Sequence, residues 1–367
     1  MTLVQPNTAE RMEEIIGKVR SGERLSFEDG VFLYRSDDLL TIGQLADEVN
    51  RKKNGKKVYF IDTMSLYFTN VCESRCAFCS FRRDQGEEGA YTLTPEEMFE
   101  YVDQHIHPDV REFHIVGGHN PHVPFEYYVE SIRALKKRYP NVTIKAYTAA
   151  EIDFFSRISG LSYREVLERL IDAGLESITG GGAEILSEEY RKKMHVDKAG
   201  IQQYLEVHRI AHQMGLRTPT TMLYSAFESV EERVQHMLHI RNLQDETGGF
   251  QVFIPLSMQP KSVNAGIRRR NSAFDDLKAI AISRLMLDNV PHIKAYYINI
   301  GVQLTQVALT MGASDVHGTI GRERISHSAG ALTPAGITRE DLIWLIKGAG
   351  RIPVERDTHY KEIRVYE

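Results

Sequence analysis

Hydrophobic and polar positions follow a repeating order along most of the chain. From Val58 onward, short apolar runs rich in β-branched and aromatic residues alternate with longer segments whose apolar positions recur every three or four residues. The short runs predict β-strands in VYFIDTMSLYFT, FHIVGG, VTIKAYT, LESIT, LRTPTTML, FQVFIPL and HIKAYYINI, with an eighth near Gly312 to Val316. The longer segments predict helices that begin at Thr94, Phe125, Ser162, Ile201, Val230, Phe274 and Gln303.

This alternation predicts an α/β fold of parallel strands joined by right-handed crossovers. At this number of units the expected closure is a (β/α)8-type TIM barrel. Upstream, Leu39 to Val49 have helical spacing and precede the polar cluster RKKNGKK, which indicates a helical extension before the barrel. We therefore expect an N-terminal helical cap in residues 1–56, a barrel in 57–320 and a short C-terminal extension in 321–367 that packs on the barrel.

Composition and charge narrow the class of protein. With 42% hydrophobic and 26% charged residues, the chain is typical of a globular protein. It lacks a basic segment followed by an apolar run at its start, and it lacks the roughly 18 to 20 apolar residues of a membrane span. A formal net charge of -5 argues against a general nucleic-acid binder. We expect a cytoplasmic protein with neither a membrane nor a nucleic-acid partner.

The cysteines carry the most specific chemical signal. All three, Cys72, Cys76 and Cys79, lie in the stretch CESRCAFC directly after the first predicted strand. A disulfide framework needs an even number of cysteines in a small secreted chain, and structural zinc normally takes four ligands at short spacing. Thiolates on one loop suit an iron-sulfur cluster. Three ligands for a four-iron cluster leave one iron open to a substrate or cosubstrate.

The spacing C-x3-C-x2-C, with the aromatic Phe78 before the last cysteine, resembles the radical S-adenosylmethionine (SAM) superfamily. The resemblance implies a [4Fe-4S] cluster held by Cys72, Cys76 and Cys79, with SAM chelated at the open iron. It also implies that one electron from the cluster cleaves SAM to a 5'-deoxyadenosyl radical. Flavodoxin or ferredoxin is the kind of electron donor that such chemistry implies.

Further motifs follow the predicted strands, where a barrel places its site. In HIVGGHNPH, Gly117 and Gly118 match the superfamily turn that holds the SAM amino group, although a tight turn explains two glycines equally well. His119, next to them, suits orientation of SAM, binding of a substrate carboxylate or proton transfer. Glu151 and Glu184 stand where a carboxylate would bind the ribose or the ammonium group of SAM. Glu184 equally suits an ordinary helix start.

From ERLSFEDGVFLY to GASDVHGTI the chain resembles one branch of the superfamily. The branch comprises aminofutalosine synthases, dehypoxanthine futalosine cyclases and deazaflavin (FO) synthase subunits. HIVGGHNPHVPFEYY and EIDFFSRISGLS look most like the aminofutalosine synthases of menaquinone biosynthesis. That resemblance implies addition of the adenosyl radical to 3-[(1-carboxyvinyl)oxy]benzoate, then rearrangement and decarboxylation to 6-amino-6-deoxyfutalosine, with SAM consumed as a substrate.

A substrate with two carboxylates requires cationic groups at the barrel mouth, because an unpaired buried carboxylate costs several kcal/mol. The candidates at strand ends are Arg82, His119, Arg322, Arg324 and His327, of which His119 and Arg322 are the predicted catalytic pair. Arg82 equally suits a position facing solvent.

Two other interpretations remain open at the level of the sequence. A dehypoxanthine futalosine cyclase or a deazaflavin synthase subunit would share every SAM feature. A cyclase would abstract hydrogen and release 5'-deoxyadenosine. A non-enzymatic iron-sulfur electron carrier or regulator would cleave no SAM at all.

Overall fold

Among the residues that the structure describes, three helices precede the first strand, and the helical spacing of Leu39 to Val49 falls in the third of them. The computed structural model describes residues 8–194, 196–224, 227–261, 271–319, 323–334 and 336–367. The N-terminal helices are α1 (Thr8–Ser21), α2 (Phe27–Arg35) and α3 (Leu39–Asn54).

The strands follow from residue 57 to the C-terminus. They are β1 (Lys57–Ile61), β2 (Thr63–Leu66), β3 (Glu112–Ile115), β4 (Thr143–Thr148), β5 (Ser177–Thr179), β6 (Thr218–Tyr224), β7 (Phe250–Ser257), β8 (His292–Ile293), β9 (Asp315–Gly318), β10 (Ile352–Arg356) and β11 (Glu362–Val365).

Helices occupy the intervals between most of these strands. They are α4 (Pro95–His105), α5 (Phe125–Arg138), α6 (Ala149–Ser159), α7 (Tyr163–Ala173), α8 (Glu188–Lys193), α9 (Ile201–Gln213), α10 (Val230–Thr247), α11 (Ala273–Met286), α12 (Tyr297–Ile300), α13 (Val302–Ala308), α14 (Ile325–Ser328) and α15 (Arg339–Gly348).

The strands pair in three sheets whose neighbours largely follow chain order. The sheets run β2-β3-β4-β5, β6-β7-β8 and β11-β10-β1-β9. A bridge between Lys294 and Asp315 joins the ends of β8 and β9, and only Asp62 separates β1 from β2. Every described strand pair is parallel except β10–β11. The α/β class is therefore confirmed, whereas closure into one eight-stranded barrel remains a prediction.

Local sequence explains where several helices begin. The side chains of Thr94, Thr148, Ser162 and Ser229 each accept a hydrogen bond from the backbone N–H three residues later. The acidic side chain at that later position accepts one from the backbone N–H of the cap residue. This capping box satisfies two backbone donors that the first helical turn leaves unpaired. It fixes the starts of α4, α7 and α10, which agree to within one residue with the predicted starts at Thr94, Ser162 and Val230. The predicted starts at Phe125 and Ile201 also agree, although no side chain caps those two helices.

One predicted strand is wrong over most of its length. Of HIKAYYINI, only His292–Ile293 pair as a strand, and Tyr297–Ile300 form a short helix that ends at Gly301. An apolar run of this length does not distinguish a strand from a buried helical turn. The predicted eighth strand is present as β9, two to three residues further along the chain. β10 pairs in parallel with β1, while the limits of the three predicted domains remain predictions.

In the ranges that the structure describes, no helix combines the length and the apolar character needed to cross a membrane. Most buried apolar side chains form one continuous cluster that reaches from α1 to α15.

Candidate active site

The cysteine loop, residues 72–79, begins six residues after β2 and lines a cavity of about 360 Å³. Backbone hydrogen bonds hold the loop in place: the N–H of Cys72 donates to the carbonyl of Arg83 at 3.2 Å, and that of Cys79 to Cys76 at 3.1 Å. The N–H of Glu73 donates to the carbonyl of His119 at 2.9 Å, which ties the loop to the turn after β3. All three thiols are therefore presented to one cavity from one fixed loop.

The donor set fits an iron-sulfur cluster. Burial raises the pKa of Cys72 to about 11 and raises that of Cys76, so thiolates here need a cationic partner such as iron. The backbone N–H of His119 lies 3.2 Å from Sγ of Cys72, a contact of the kind that tunes cluster sulfurs. Among the described side chains, no three donors converge on a point for a single metal ion. A four-iron cluster does not require that, because each cysteine binds a different iron.

Gly117 and Gly118 lie where the turn after β3 meets the cysteine loop. A Cβ on Gly118 would overlap the carbonyl of Val71 and stand 3.0 Å from Cβ of Cys72. A Cβ on Gly117 would lie 3.1 Å from the carbonyl oxygen of Thr69. Both glycines line the cavity, but the space that their missing side chains leave is filled by backbone. Their first structural role is therefore close contact between the two loops.

Glu151 connects two elements of the site. Its Oε2 accepts from the backbone N–H of Thr148 at 2.7 Å in the capping box of α6, and its Oε1 accepts from the N–H of Gly117 at 3.0 Å. Burial raises its pKa to about 7 although these hydrogen bonds oppose the shift. Because each oxygen already accepts an internal hydrogen bond, Glu151 holds the Gly117 turn in position.

Glu184 lies in an ion pair beside the cysteines. Its carboxylate is 2.6 Å from Nζ of Lys198, and its backbone adopts the left-handed region with φ of 50°. Burial alone would lower the pKa of Lys198, but Glu184 and Cys76 together outweigh burial and raise it. Nζ of Lys198 also lies 5.7 Å from the centre of the Phe78 ring. Its positive charge lowers the pKa of Cys76 and so partly offsets the effect of burial on that thiol. Glu184 therefore belongs to the cavity and precedes α8 by four residues.

The glycines before Glu184 have a packing role. A Cβ on Gly180 would lie 2.9 Å from the backbone of Pro219 and Thr220, and its carbonyl accepts hydrogen bonds from Tyr204 and Thr221, both at 2.9 Å. The close approach that Gly180 permits is thus to strand β6.

His119 is buried and neutral. Its Nδ1 lies 3.1 Å from Oγ of Ser74, and its ring stacks on Phe154 at 5.0 Å between centres. Burial, together with the charges of Lys198 and Arg157, lowers its pKa to about 3. A neutral imidazole does not supply the cation that a carboxylate clamp requires. The geometry instead gives His119 a role in holding the cysteine loop.

The other candidate cations are not brought together. Arg82 lines the cavity, with 15% of its side chain exposed and an ion pair to Asp84. Arg324 is exposed and lies over aromatic rings, and Nε2 of His327 lies 2.9 Å from the carbonyl of Thr333, so neither faces the cavity. The predicted catalytic residue Arg322 lies outside the described residues.

The sequence analysis missed two sets of charged residues. Lys198 stands in a loop without a motif. On the strands, Glu112, Lys145 and Lys294 lie in or next to apolar runs and are buried. A lysine or glutamate inside a run that otherwise predicts a buried strand is itself a signal, because such residues are almost never fully buried unless they are paired.

Comparisons with known proteins agree with this site. The model of the Radical SAM superfamily matches residues 66–240, and that of the CofH/MqnC C-terminal region matches residues 247–367. An aminodeoxyfutalosine synthase from Thermus thermophilus is 46% identical over 361 residues, which cover 97% of both chains. The Streptomyces coelicolor enzyme of the same name is 47% identical, over 96% of this chain and 94% of that one. A cyclic dehypoxanthine futalosine synthase from Halalkalibacterium halodurans is 33% identical over 97% of this chain and 96% of that one.

Two solved structures share the fold at low identity. The FeFe-hydrogenase maturase HydG from Carboxydothermus hydrogenoformans superposes with a TM-score of 0.73 at 18% identity, covering 96% of this chain and 81% of that one. Methylornithine synthase (PylB) gives the same TM-score and identity, covering 92% of this chain and 97% of that one.

The three-cysteine loop, the cavity that it lines and the family match define a radical SAM enzyme. Membership of that superfamily implies a [4Fe-4S] cluster and SAM. At 46–47% identity over nearly the whole chain, the protein belongs to the family of the aminodeoxyfutalosine synthases.

Proposed function

We propose that this enzyme makes 6-amino-6-deoxyfutalosine from SAM and 3-[(1-carboxyvinyl)oxy]benzoate. When bound, the cluster and SAM supply a 5'-deoxyadenosyl radical, which adds to the enolpyruvyl double bond before rearrangement and loss of carbon dioxide. The observation that carries the proposal is the full-length similarity to two enzymes of this name, combined with three cysteines on the wall of one cavity.

The chain's own residues supply the binding and the positioning. Cys72, Cys76 and Cys79 would hold the cluster, and Phe78 lies within their loop. Gly117, Gly118, Glu151 and Glu184 line the same cavity and would surround SAM, with Lys198 as the partner of Glu184. A bound alkene held close to C5' reacts faster than a more distant hydrogen donor, so fixed walls favour addition over hydrogen abstraction.

Three further parts of the proposal concern the whole protein. The three sheets would close into a (β/α)8-type barrel around the cavity. This closure is supported by the pairing of β9 with β1 and by β2, which follows β1 after a single residue. A small electron carrier such as flavodoxin or ferredoxin would reduce the cluster. The enzyme would act in the cytoplasm in menaquinone biosynthesis.

The test is a product assay under anaerobic conditions. Reconstituted enzyme with dithionite, SAM and the enolpyruvyl ether is expected to give an adenosylated product by mass spectrometry. Release of 5'-deoxyadenosine alone would end the synthase assignment and favour the cyclase or deazaflavin synthase alternatives, for which the same assay uses their own substrates. Cys76→Ala is expected to abolish both the iron content and SAM cleavage.

A further inference from the structure

Five charged side chains lie together inside the molecule, on strands that form a wall of the cavity. The group consists of Glu112 on β3, Lys145 on β4, Lys294 just after β8, Asp315 on β9 and Arg356 at the end of β10. We call it the buried charge group. Its three cations line the same cavity as the cysteine loop. None of the five side chains is more than 8% exposed.

Four members of the buried charge group form two close pairs. Lys145 is paired with Glu112. Nε and Nη2 of Arg356 lie 2.8 and 2.7 Å from Oδ2 of Asp315. The hydroxyl of Tyr360 donates to the same oxygen at 2.8 Å, and the backbone N–H of His317 donates to Oδ1 at 2.7 Å. The carboxylate of Asp315 thus already accepts three hydrogen bonds and lies in close ion-pair contact with Nη2 of Arg356.

Lys294 is the cation without a matching carboxylate in this group. Its Nζ lies 3.4 Å from Oδ1 of Asp315, and its hydrogen-bond contact is with Nδ1 of His317 at 3.0 Å. Burial lowers the pKa of Lys294 to about 8, so its amine remains mostly protonated at neutral pH. Three cations then face two carboxylates, and the buried charge group carries an excess of one positive charge. Burying an uncompensated charge is unfavourable, and an anion bound in the cavity would relieve it.

Two imidazoles next to the buried charge group do not change this balance. Burial lowers the pKa of His114 to about 3, and Lys145 and Lys294 add to the shift. Burial, together with Lys294 and Lys145, lowers the pKa of His317 well below its usual value. Both rings are therefore neutral. Nδ1 of His114 is buried without a hydrogen-bond partner among the described residues.

An apolar row lies in the same cavity. Val252, Ile254 and Leu256 alternate along β7 and all line the cavity. β8 is hydrogen-bonded to β7 in parallel, and Lys294 follows β8 directly, so the cation stands beside this row. An apolar wall with one unmatched cation beside it suits an arene that carries a carboxylate.

We propose that Lys294 binds the ring carboxylate of the benzoate substrate and so determines its specificity. This inference rests on the proposed function. The alkene must lie next to SAM, at the cysteine loop, so the carboxylate across the aromatic ring is the one that reaches the strands. Lys294 is then a binding residue for the far end of the substrate, with Asp315 and His317 as positioning residues.

The test compares the natural ether with an analogue that lacks the ring carboxylate, 2-phenoxyacrylate, in the reconstituted holoenzyme. We expect wild-type enzyme to prefer the natural ether in kcat/KM. Lys294→Met is expected to lower kcat/KM for the natural ether by about 30-fold or more, since removal of one partner of a buried charge pair is strongly unfavourable. For the analogue we expect a change below about threefold, because that analogue makes no use of the charge. Lys294→Arg, which keeps the charge, is expected to recover part of the preference.

Controls separate the alternatives. Iron content and SAM affinity are measured for every variant, and Lys137→Met on the exposed face of α5 serves as the matched control. Loss of SAM affinity in Lys294→Met would assign Lys294 to the carboxylate of SAM and overturn the proposal, as would an equal loss for both ethers. If Lys294→Met does not hold iron, Lys294→Gln takes its place. The wild-type enzyme by itself distinguishes the two proposals. If it makes adenosylated product but does not discriminate between the ethers, the assignment of Lys294 is wrong and the proposed function stands. If it makes no adenosylated product, the proposed function is wrong.

Discussion

Glu184 has an unfavourable backbone conformation and a buried carboxylate, and both are stabilised by neighbouring residues. A residue with a side chain rarely adopts a φ of 50°, and a carboxylate that is 7% exposed needs a partner. Gly182, with φ of 95°, and the ion pair with Lys198 provide the turn and the partner. Strained residues of this kind cluster at functional sites. The conformation and burial of Glu184 therefore favour a role in ligand binding over that of an ordinary acidic residue at a helix start.

A double-variant comparison separates the two roles of Glu184. Glu184→Gln and Lys198→Met should each lower the free energy of unfolding by about 1–3 kcal/mol, because each leaves a buried partner unmatched. The double variant should recover most of that loss. If Glu184 also accepts a charged hydrogen bond from SAM, the double variant should still bind SAM about 1–3 kcal/mol more weakly than wild type. Chemical denaturation and equilibrium binding measure the two quantities. Wild-type SAM affinity in the double variant would leave Glu184 a structural role only.

The turn after β3 and the cysteine loop act as one element. The backbone N–H of His119 contacts Sγ of Cys72, and its carbonyl accepts a hydrogen bond from the N–H of Glu73. Gly118 has no side chain, which allows the turn after β3 to pack directly against the cysteine loop. Glu151 ties this turn to α6. These contacts join strands β2 and β3 to the first turn of α6 at the site of the thiols. The geometry of the three thiols therefore depends on residues of neighbouring elements.

Gly118→Ala tests this dependence. The added methyl would overlap the carbonyl of Val71, so the cysteine loop must move away from β3. We expect the reconstituted iron content to fall to less than half of the wild-type value, with a changed visible spectrum. Gly17→Ala on α1 is the matched control, because a Cβ there meets nothing within 4 Å. A full cluster in Gly118→Ala would show that the loop tolerates displacement.

Several elements could be predicted from the sequence for physical reasons, and others could not. Capping residues such as Thr94 and Ser229 fix helix starts locally, and three thiols at fixed spacing specify a cluster. The helix at Tyr297 and the pairing of β10 with β1 depend on distant contacts that apolar spacing does not encode. The same holds for Lys198 and Lys294, whose partners lie 14 and 21 to 23 residues away along the chain.

On the scale of the whole molecule, buried neutral histidines couple stability to pH. Burial lowers the pKa of His236 and of His292 to about 3, and that of His208 well below its usual value. Unfolded histidine binds a proton below about pH 6.5, so between about pH 4 and 6.5 the unfolded state holds more protons than the native state. The contribution of these histidines to the free energy of unfolding is therefore fully present above about pH 6.5 and is lost as the pH falls below that value.

We expect the free energy of unfolding to fall by several kcal/mol between pH 6.5 and 4. Loss of the cluster in acid acts in the same direction, so the variant His208→Gln isolates the histidine contribution far from the cysteines. It should reduce the pH dependence, whereas His359→Gln at an exposed position should not. Denaturant titrations at each pH measure this difference. Identical slopes in His208→Gln and wild type would contradict the assignment of a buried neutral imidazole.

The enzyme as a whole must direct one radical to one double bond. A loosely held alkene lets the adenosyl radical take hydrogen from another donor, so a defect in positioning changes the products as well as the rate. In His119→Ala, Ser74 of the cysteine loop loses its contact with the imidazole, and Phe154 loses the ring that stacks on it. The distance between the cluster and the substrate is then no longer fixed. We expect a higher ratio of 5'-deoxyadenosine to adenosylated product, with SAM cleavage retained. Arg322→Ala should change the ratio in the same direction if Arg322 binds a carboxylate, as the sequence predicts. Mass spectrometry reads both products in one sample, and an unchanged ratio in both variants would remove His119 and Arg322 from the positioning of substrate while leaving the synthase assignment intact.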